Sequence, residues 1–193
     1  RRPIAQFRGN NSAPAFSPDG RTLALALSRN GGTQIYLMSA SGGAPRQATS
    51  GYGINTEPVF SPDGSWIYFT SDRGGAPQIY RQKVAGGAAS RVTFNTSYAV
   101  SPALSPDGKK LAYVSRSASG FAINVQELDT GNVFMVSKAG NNESPSFSPN
   151  GELVLYAASR GALECASAEA KSLTRLSSRG GTIREPAWGP LIK

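Results

Sequence analysis

The pentad Phe16-Ser17-Pro18-Asp19-Gly20 recurs as Phe60-Ser61-Pro62-Asp63-Gly64, Leu104-Ser105-Pro106-Asp107-Gly108 and Phe147-Ser148-Pro149-Asn150-Gly151, and a worn copy, Trp188-Gly189-Pro190, lies near the end. Between Ser17, Ser61, Ser105, Ser148 and Gly189 the steps are 44, 44, 43 and 41 residues. A fixed period in the low forties, built of short strands and tight turns, is the signature of β-propeller blades. The expected fold is all-β: a propeller of WD-like four-stranded blades.

Each pentad also reads locally. Proline fits the second position of a type I turn, Asp or Asn the third, and glycine accepts the left-handed conformation at the fourth. An apolar stub precedes each turn and an alternating strand follows it, so each pentad joins the first and second strands of a blade. The blades are expected at about 14–49, 58–94, 102–137 and 145–177, with flanking strands at 3–7 and 186–188, all within one partial propeller domain over 1–193. Prolines 14, 58, 102, 145 and 186 each read as the opening residue of an inner strand, where a missing N–H costs no ladder bond. Gln34-Ile35-Tyr36 and Gln78-Ile79-Tyr80 mark the third strands, weakened to Ala122-Ile123-Asn124.

Composition then removes several function classes. Histidine is absent, which excludes Ser-His-Asp and Cys-His nucleophile systems and histidine metal ligands. One cysteine, Cys165, cannot form an internal disulfide framework and reads as a buried free thiol. The formal net charge of +8 suggests an anionic partner, but lysines and arginines are scattered without a run of four, so nucleic-acid binding is not expected. No run of about 18 apolar residues is present, so no membrane-inserting helix is expected. No catalytic carboxylate pair, phosphate loop, metal cluster or cofactor site is identifiable; the chain is expected to be non-catalytic.

Two polar sets recur in phase with the blades. The stretches before the inner strands include Asn10, Asn11, Ser12 and Ala13; Asn55, Thr56 and Glu57; Tyr98 and Ala99; and Asn142 and Glu143. They vary while the scaffold does not, which is how binding loops on a fixed frame behave. These residues are the candidate partner-binding set. Arg29, Arg73, Arg116 and Arg160 follow the second strands, and are expected to pair with a neighbouring blade's glutamate.

Glu57-Pro58-Val59-Phe60-Ser61-Pro62-Asp63-Gly64, Phe69-Thr70-Ser71-Asp72-Arg73 and Gln78-Ile79-Tyr80 within one period resemble the TolB family, as do Asn11-Ser12-Ala13-Pro14 and the terminal Glu185-Pro186-Ala187-Trp188. The resemblance implies four complete blades of a six-bladed propeller, in a periplasmic protein of the Tol–Pal system. It implies a non-catalytic hub that binds the lipoprotein Pal at the channel mouth and supports outer-membrane integrity and cell division. Colicin translocation segments would compete there, and TolA would be reached through an N-terminal segment that this chain does not contain. By motif, the Pal-facing residues correspond to Asn10–Ala13 and Asn55–Glu57, extended to Tyr98, Ala99, Asn142 and Glu143. Asn10 stands where the family often has histidine, which would remove any pH-sensitive contact. Serine-peptidase gating propellers share the Ser-Pro-Asp-Gly repeat and are the alternative resemblance.

Overall fold

A computed structural model of the chain describes residues 3–29, 31–176 and 183–189. They form four antiparallel sheets of four strands each, in simple up-and-down order. The first sheet is β1 (Asn11–Phe16), β2 (Thr22–Arg29), β3 (Gly32–Ser39) and β4 (Arg46–Gln47). The second is β5 (Asn55–Phe60), β6 (Trp66–Ser71), β7 (Gln78–Lys83) and β8 (Ser90–Arg91). The third is β9 (Ala99–Leu104), β10 (Lys110–Ser117), β11 (Gly120–Glu127) and β12 (Val133–Met135). The fourth is β13 (Glu143–Phe147), β14 (Leu153–Ala158), β15 (Ala162–Ser167) and β16 (Leu173–Leu176). The expected all-β architecture of four-stranded blades is borne out. Residues 1–94 and 95–193 make two compact units, each carrying two sheets.

The pentads behave as their chemistry dictates. Gly20 takes φ +69° and its N–H donates to the Ser17 carbonyl at 2.8 Å, closing the turn. Asp19 accepts from the Ser17 hydroxyl at 2.6 Å and from the Arg21 N–H at 3.0 Å. The Ser17 hydroxyl in turn accepts from the Thr22 N–H at 2.9 Å, tying the turn to β2. The other three copies repeat this pattern, with Asn150 in the aspartate's place in the fourth.

These turns should register acid. Hydrogen bonds from the Ser61 hydroxyl, then from the Ser65 hydroxyl and N–H, hold the Asp63 carboxyl down to about 2. An unfolded aspartate titrates near 3.9. The turn's contribution is therefore complete above about pH 4 and is lost as pH falls toward 2. The melting temperature is expected to fall across that window, and less steeply in Asp63→Asn; identical acid profiles would contradict the assignment.

The inner strands depart from expectation. Each starts two to three residues before its proline, and the proline lies inside the strand. Ser12 pairs with Ala26 and Ala15 with Ala24, so Ala13 and Pro14 together oppose Leu25. The same register shift sets Glu57-Pro58 against Phe69, Ser101-Pro102 against Tyr113 and Ser144-Pro145 against Tyr156. This is a β-bulge, one extra residue on one strand. The prolines are tolerated because the bulge already leaves a residue unpaired. The residue before each proline takes φ between 48° and 56°, a left-handed conformation rare outside glycine.

Two other expectations are corrected. Residues 3–7 and 186–188 form no strand. Ile4, Ala5 and Phe7 instead cover the face of the first sheet presented by Leu23, Leu25 and Leu27, so their side chains pack without joining the ladder. In unit 1 a second core joins Ala24, Ala26, Ile35 and Leu37 of one sheet to Ile67, Phe69 and Tyr80 of the other. In unit 2 the core lies between Val114, Ile123 and Val125 on one side and Phe147, Val154 and Tyr156 on the other. Cys165 is a buried free thiol, as expected.

Candidate functional site

In unit 1, β1 and β5 are neighbours, and their bulges bring Asn10–Ala13 and Asn55–Glu57 to the same end of adjacent inner strands. Asn10, Asn11 and Ser12 are exposed, and Ala13, Thr56 and Glu57 are half-buried. The Asn10 carbonyl accepts from the Ser28 N–H at 3.0 Å. The Asn11 amide is turned inward on its own chain, donating to the carbonyls of Phe7 and Gly9 at 2.7 and 2.9 Å. The Glu57 carboxylate accepts from the Thr70 hydroxyl at 2.7 Å, across the bulge.

Asn55 is different: its exposure is 0%. Its Nδ2 donates to Gln34 Oε1 at 2.8 Å and its Oδ1 accepts from Arg73 Nη2 at 2.7 Å. Gln34 Oε1 also accepts from the Thr49 hydroxyl at 2.9 Å, while Thr49 Oγ1 accepts from the Ile35 N–H at 2.9 Å. A chain of buried polar groups thus runs from the outer strand of one sheet to the inner strand of the next. Such groups are affordable only when paired. Asn55 therefore holds the site's frame and presents no polar atom to a partner.

Arg73 departs from the expected ion pair. It donates to Asn55 within its own sheet and to the Ser71 hydroxyl at 3.0 Å. Its guanidinium lies 5.1 Å from the Tyr80 ring centre and 5.4 Å from that of Phe69. Burial pushes its pKa below the ordinary arginine value. Arg116, the third arginine of the series, is one position out of phase. The strand pairing sets Ser117, not Arg116, in the place of Arg73, since Tyr113 corresponds to Phe69. A one-residue offset in a strand turns the side chain to the other face.

In unit 2, β9 and β13 are neighbours. Tyr98 is half-buried with its ring centre 5.8 Å from that of Phe121, while Ala99 is fully buried. Asn142 is 4% exposed and its Nδ2 donates to the Phe121 carbonyl and the Ser137 hydroxyl at 3.0 and 3.1 Å. Like Asn55, it belongs to the frame. Glu143 is exposed. Tyr98, Ser101, Phe121 and Glu143 help line a cavity of about 340 Å³. The accessible part of this half of the set is an aromatic-walled cleft with a carboxylate at its edge.

Sequence reasoning overlooked the hydroxyls at Thr49, Thr93 and Ser137. Each accepts from the backbone N–H of a third-strand isoleucine at 2.8–3.0 Å. Their spacing of 44 residues is the signal that would have found them. Also unforeseen are Tyr52 and Ile54, exposed on the loop into β5. Among the described residues, no three His, Cys, Asp or Glu side chains are grouped so as to hold a metal ion, and no helix is long and apolar enough to cross a membrane.

The family model of the TolB beta propeller domain matches residues 1–192. The Tol-Pal system protein TolB of Methylobacillus flagellatus is 53% identical over 82 residues, covering 41% of this chain and 19% of the relative. A crystal structure of TolB from Acinetobacter baumannii superimposes with a TM-score of 0.89 at 43% identity, over 97% of this chain and 48% of that one. A putative TolB from Agrobacterium tumefaciens superimposes with a TM-score of 0.87 at 24% identity, over 97% and 69%, which speaks for the fold alone. The chain spans about half the length of the Acinetobacter protein.

Proposed function

The chain belongs to the TolB beta propeller domain family, and from that premise we propose that it serves as a non-catalytic, periplasmic protein-docking module of the Tol–Pal system. Its 193 residues are read as part of one propeller domain. The partner is the lipoprotein Pal, and the complex supports outer-membrane integrity and cell division. Colicin translocation segments use the same face, and TolA is engaged by a different part of the whole protein.

The observation that carries this reading is the repeated bulge. It fixes the backbone at Ala13 and Glu57 in one unusual conformation and sets Thr56 and Ser12 beside it. Strained backbone held by surrounding structure clusters where proteins bind and switch. Pre-set geometry lowers the entropy lost when a partner docks. The direct contacts are assigned to Asn10, Ser12, Ala13, Thr56 and Glu57 in unit 1 and to Tyr98 and Glu143 in unit 2. Asn11, Asn55, Ala99 and Asn142 support them from behind.

Thr56→Arg places a long cation on this face while keeping the backbone unchanged. It is expected to weaken Pal binding by at least about tenfold, or roughly 1.4 kcal/mol, with an unchanged melting temperature. Calorimetric titration of the full-length protein with soluble Pal, repeated with a double variant at Ala13 and Thr56, tests the reading. An unaltered Kd in the folded variants would remove these residues from the interface. Absence of binding by the wild type would remove the partner.

A further inference from the structure

The loop joining β4 to β5 holds Tyr52 at 97% exposure and Ile54 at 52%. Two large apolar side chains stand in water within three residues. The loop that carries them is nevertheless firmly built. Gln34 Nε2 donates to the Gly51 and Gly53 carbonyls at 3.2 and 3.4 Å, and Asp72 Oδ1 accepts from the Ile54 N–H at 2.6 Å. Gly53 takes φ +94°, and a Cβ there would stand 2.2 Å from Asp72 Oδ1. These hydrogen bonds are thus committed to presenting a tyrosine and an isoleucine to solvent. Fixed, exposed aromatic residues are what interfaces use as anchors.

Tyr52 and Ile54 border a groove of about 500 Å³ that Arg29 and Gln47 also line. The Arg29 guanidinium carbon stands 5.9 Å from the Tyr36 ring centre, so the exposed head group is held over that ring at the edge of the groove. Among the described residues that line the groove none is acidic, the Asp72 carboxylate beside it being engaged by the Ile54 N–H, and the chain as a whole carries a formal net charge of +8. The combination suits a segment that brings a carboxylate together with an apolar side chain. Arginine takes carboxylates in a two-pronged, charge-assisted arrangement.

We propose that this groove is an auxiliary docking site for an acidic segment of the same protein partner, a carboxylate meeting Arg29 and a neighbouring apolar side chain lying against Tyr52 and Ile54. The assignment rests on the partner function proposed above. It adds a second contact region in unit 1, built from residues outside the inner strands.

The test is calorimetric titration of the full-length protein with soluble Pal, for wild type, Tyr52→Ala combined with Ile54→Ala, and Arg29→Glu. Since the three side chains are exposed, melting temperatures should stay at the wild-type value. Each variant is expected to raise Kd by about tenfold. Arg29→Glu should also flatten the loss of affinity with added salt, because it removes the attraction that salt screens. Wild-type affinity in both variants would overturn the proposal and leave the inner-strand reading intact. No binding by wild type would overturn both. A wild-type dimer in sedimentation that disappears in the Tyr52 variant would assign the groove to a second copy of the chain, and would also overturn it.

Discussion

Phe69→Ala is expected to destabilise the protein by about 3–5 kcal/mol. Phe69 has no exposed surface and packs among Ala24, Ala26, Ile35 and Tyr80 in the core shared by the two sheets of unit 1. Its backbone faces the bulge at Glu57-Pro58, and its ring lies under the Arg73 guanidinium. Truncation leaves a cavity between two β-sheets whose ladders resist collapse, so little of the lost packing is recovered. It also removes one of the two rings that hold Arg73 against Asn55. Urea unfolding followed by tryptophan fluorescence would read the change. A loss below about 1 kcal/mol would mean that the sheets close over the gap, contrary to the interior packing described.

Asn55→Ala is expected to cost about 2–3 kcal/mol, although only a small side chain is removed. The change strips a partner from the half-buried Arg73 guanidinium and from the buried Gln34 at once. Most of the cost falls on Arg73 Nη2, which loses its acceptor while Nε keeps the Ser71 hydroxyl. Asn55→Asp makes the informative comparison. It keeps an acceptor for Arg73 and loses the donor to Gln34, so it should recover part of the stability. Equal losses in the two variants would show that Arg73 finds another partner. Under the proposed function, Pal affinity at the permissive temperature should change much less than stability in either variant, because Asn55 has no exposed surface.

The turns are legible in the sequence because their physics is local. Serine, proline, aspartate or asparagine, and glycine in fixed order specify a backbone, and the structure has it at the four full copies, while the worn copy runs past the described residues. The period is legible for the same reason, and with it the blade type. The inner-strand boundaries are not, because a proline ahead of an apolar pair reads as a strand start until the opposite strand is known to have one residue fewer. The bulge is a property of two strands, and only one of them carries the proline. Asn55 and Asn142 look like loop residues, since asparagine favours loops and solvent. Only the packing of one sheet against the next reveals that their amides are consumed inside. Arg116 is misread through a single-residue slip in spacing, which sequence alone counts as noise and a strand counts as a reversal of face. Tyr52 escapes notice because one tyrosine in a glycine-rich loop carries no pattern.

The bulge position has a consequence for divergence. Ala13, Glu57, Ser101 and Ser144 hold nearly the same backbone angle while carrying a methyl group, a carboxylate and two hydroxyls. The conformation recurs with the register shift of all four sheets and is indifferent to what the residue itself bears. Such a site is a socket: charge and size can be exchanged there without re-registering a sheet or disturbing the interior. Descendants of one ancestral chain can therefore drift in what this edge presents while keeping a common scaffold, and a designer seeking a new specificity could begin with these four residues and leave the rest untouched.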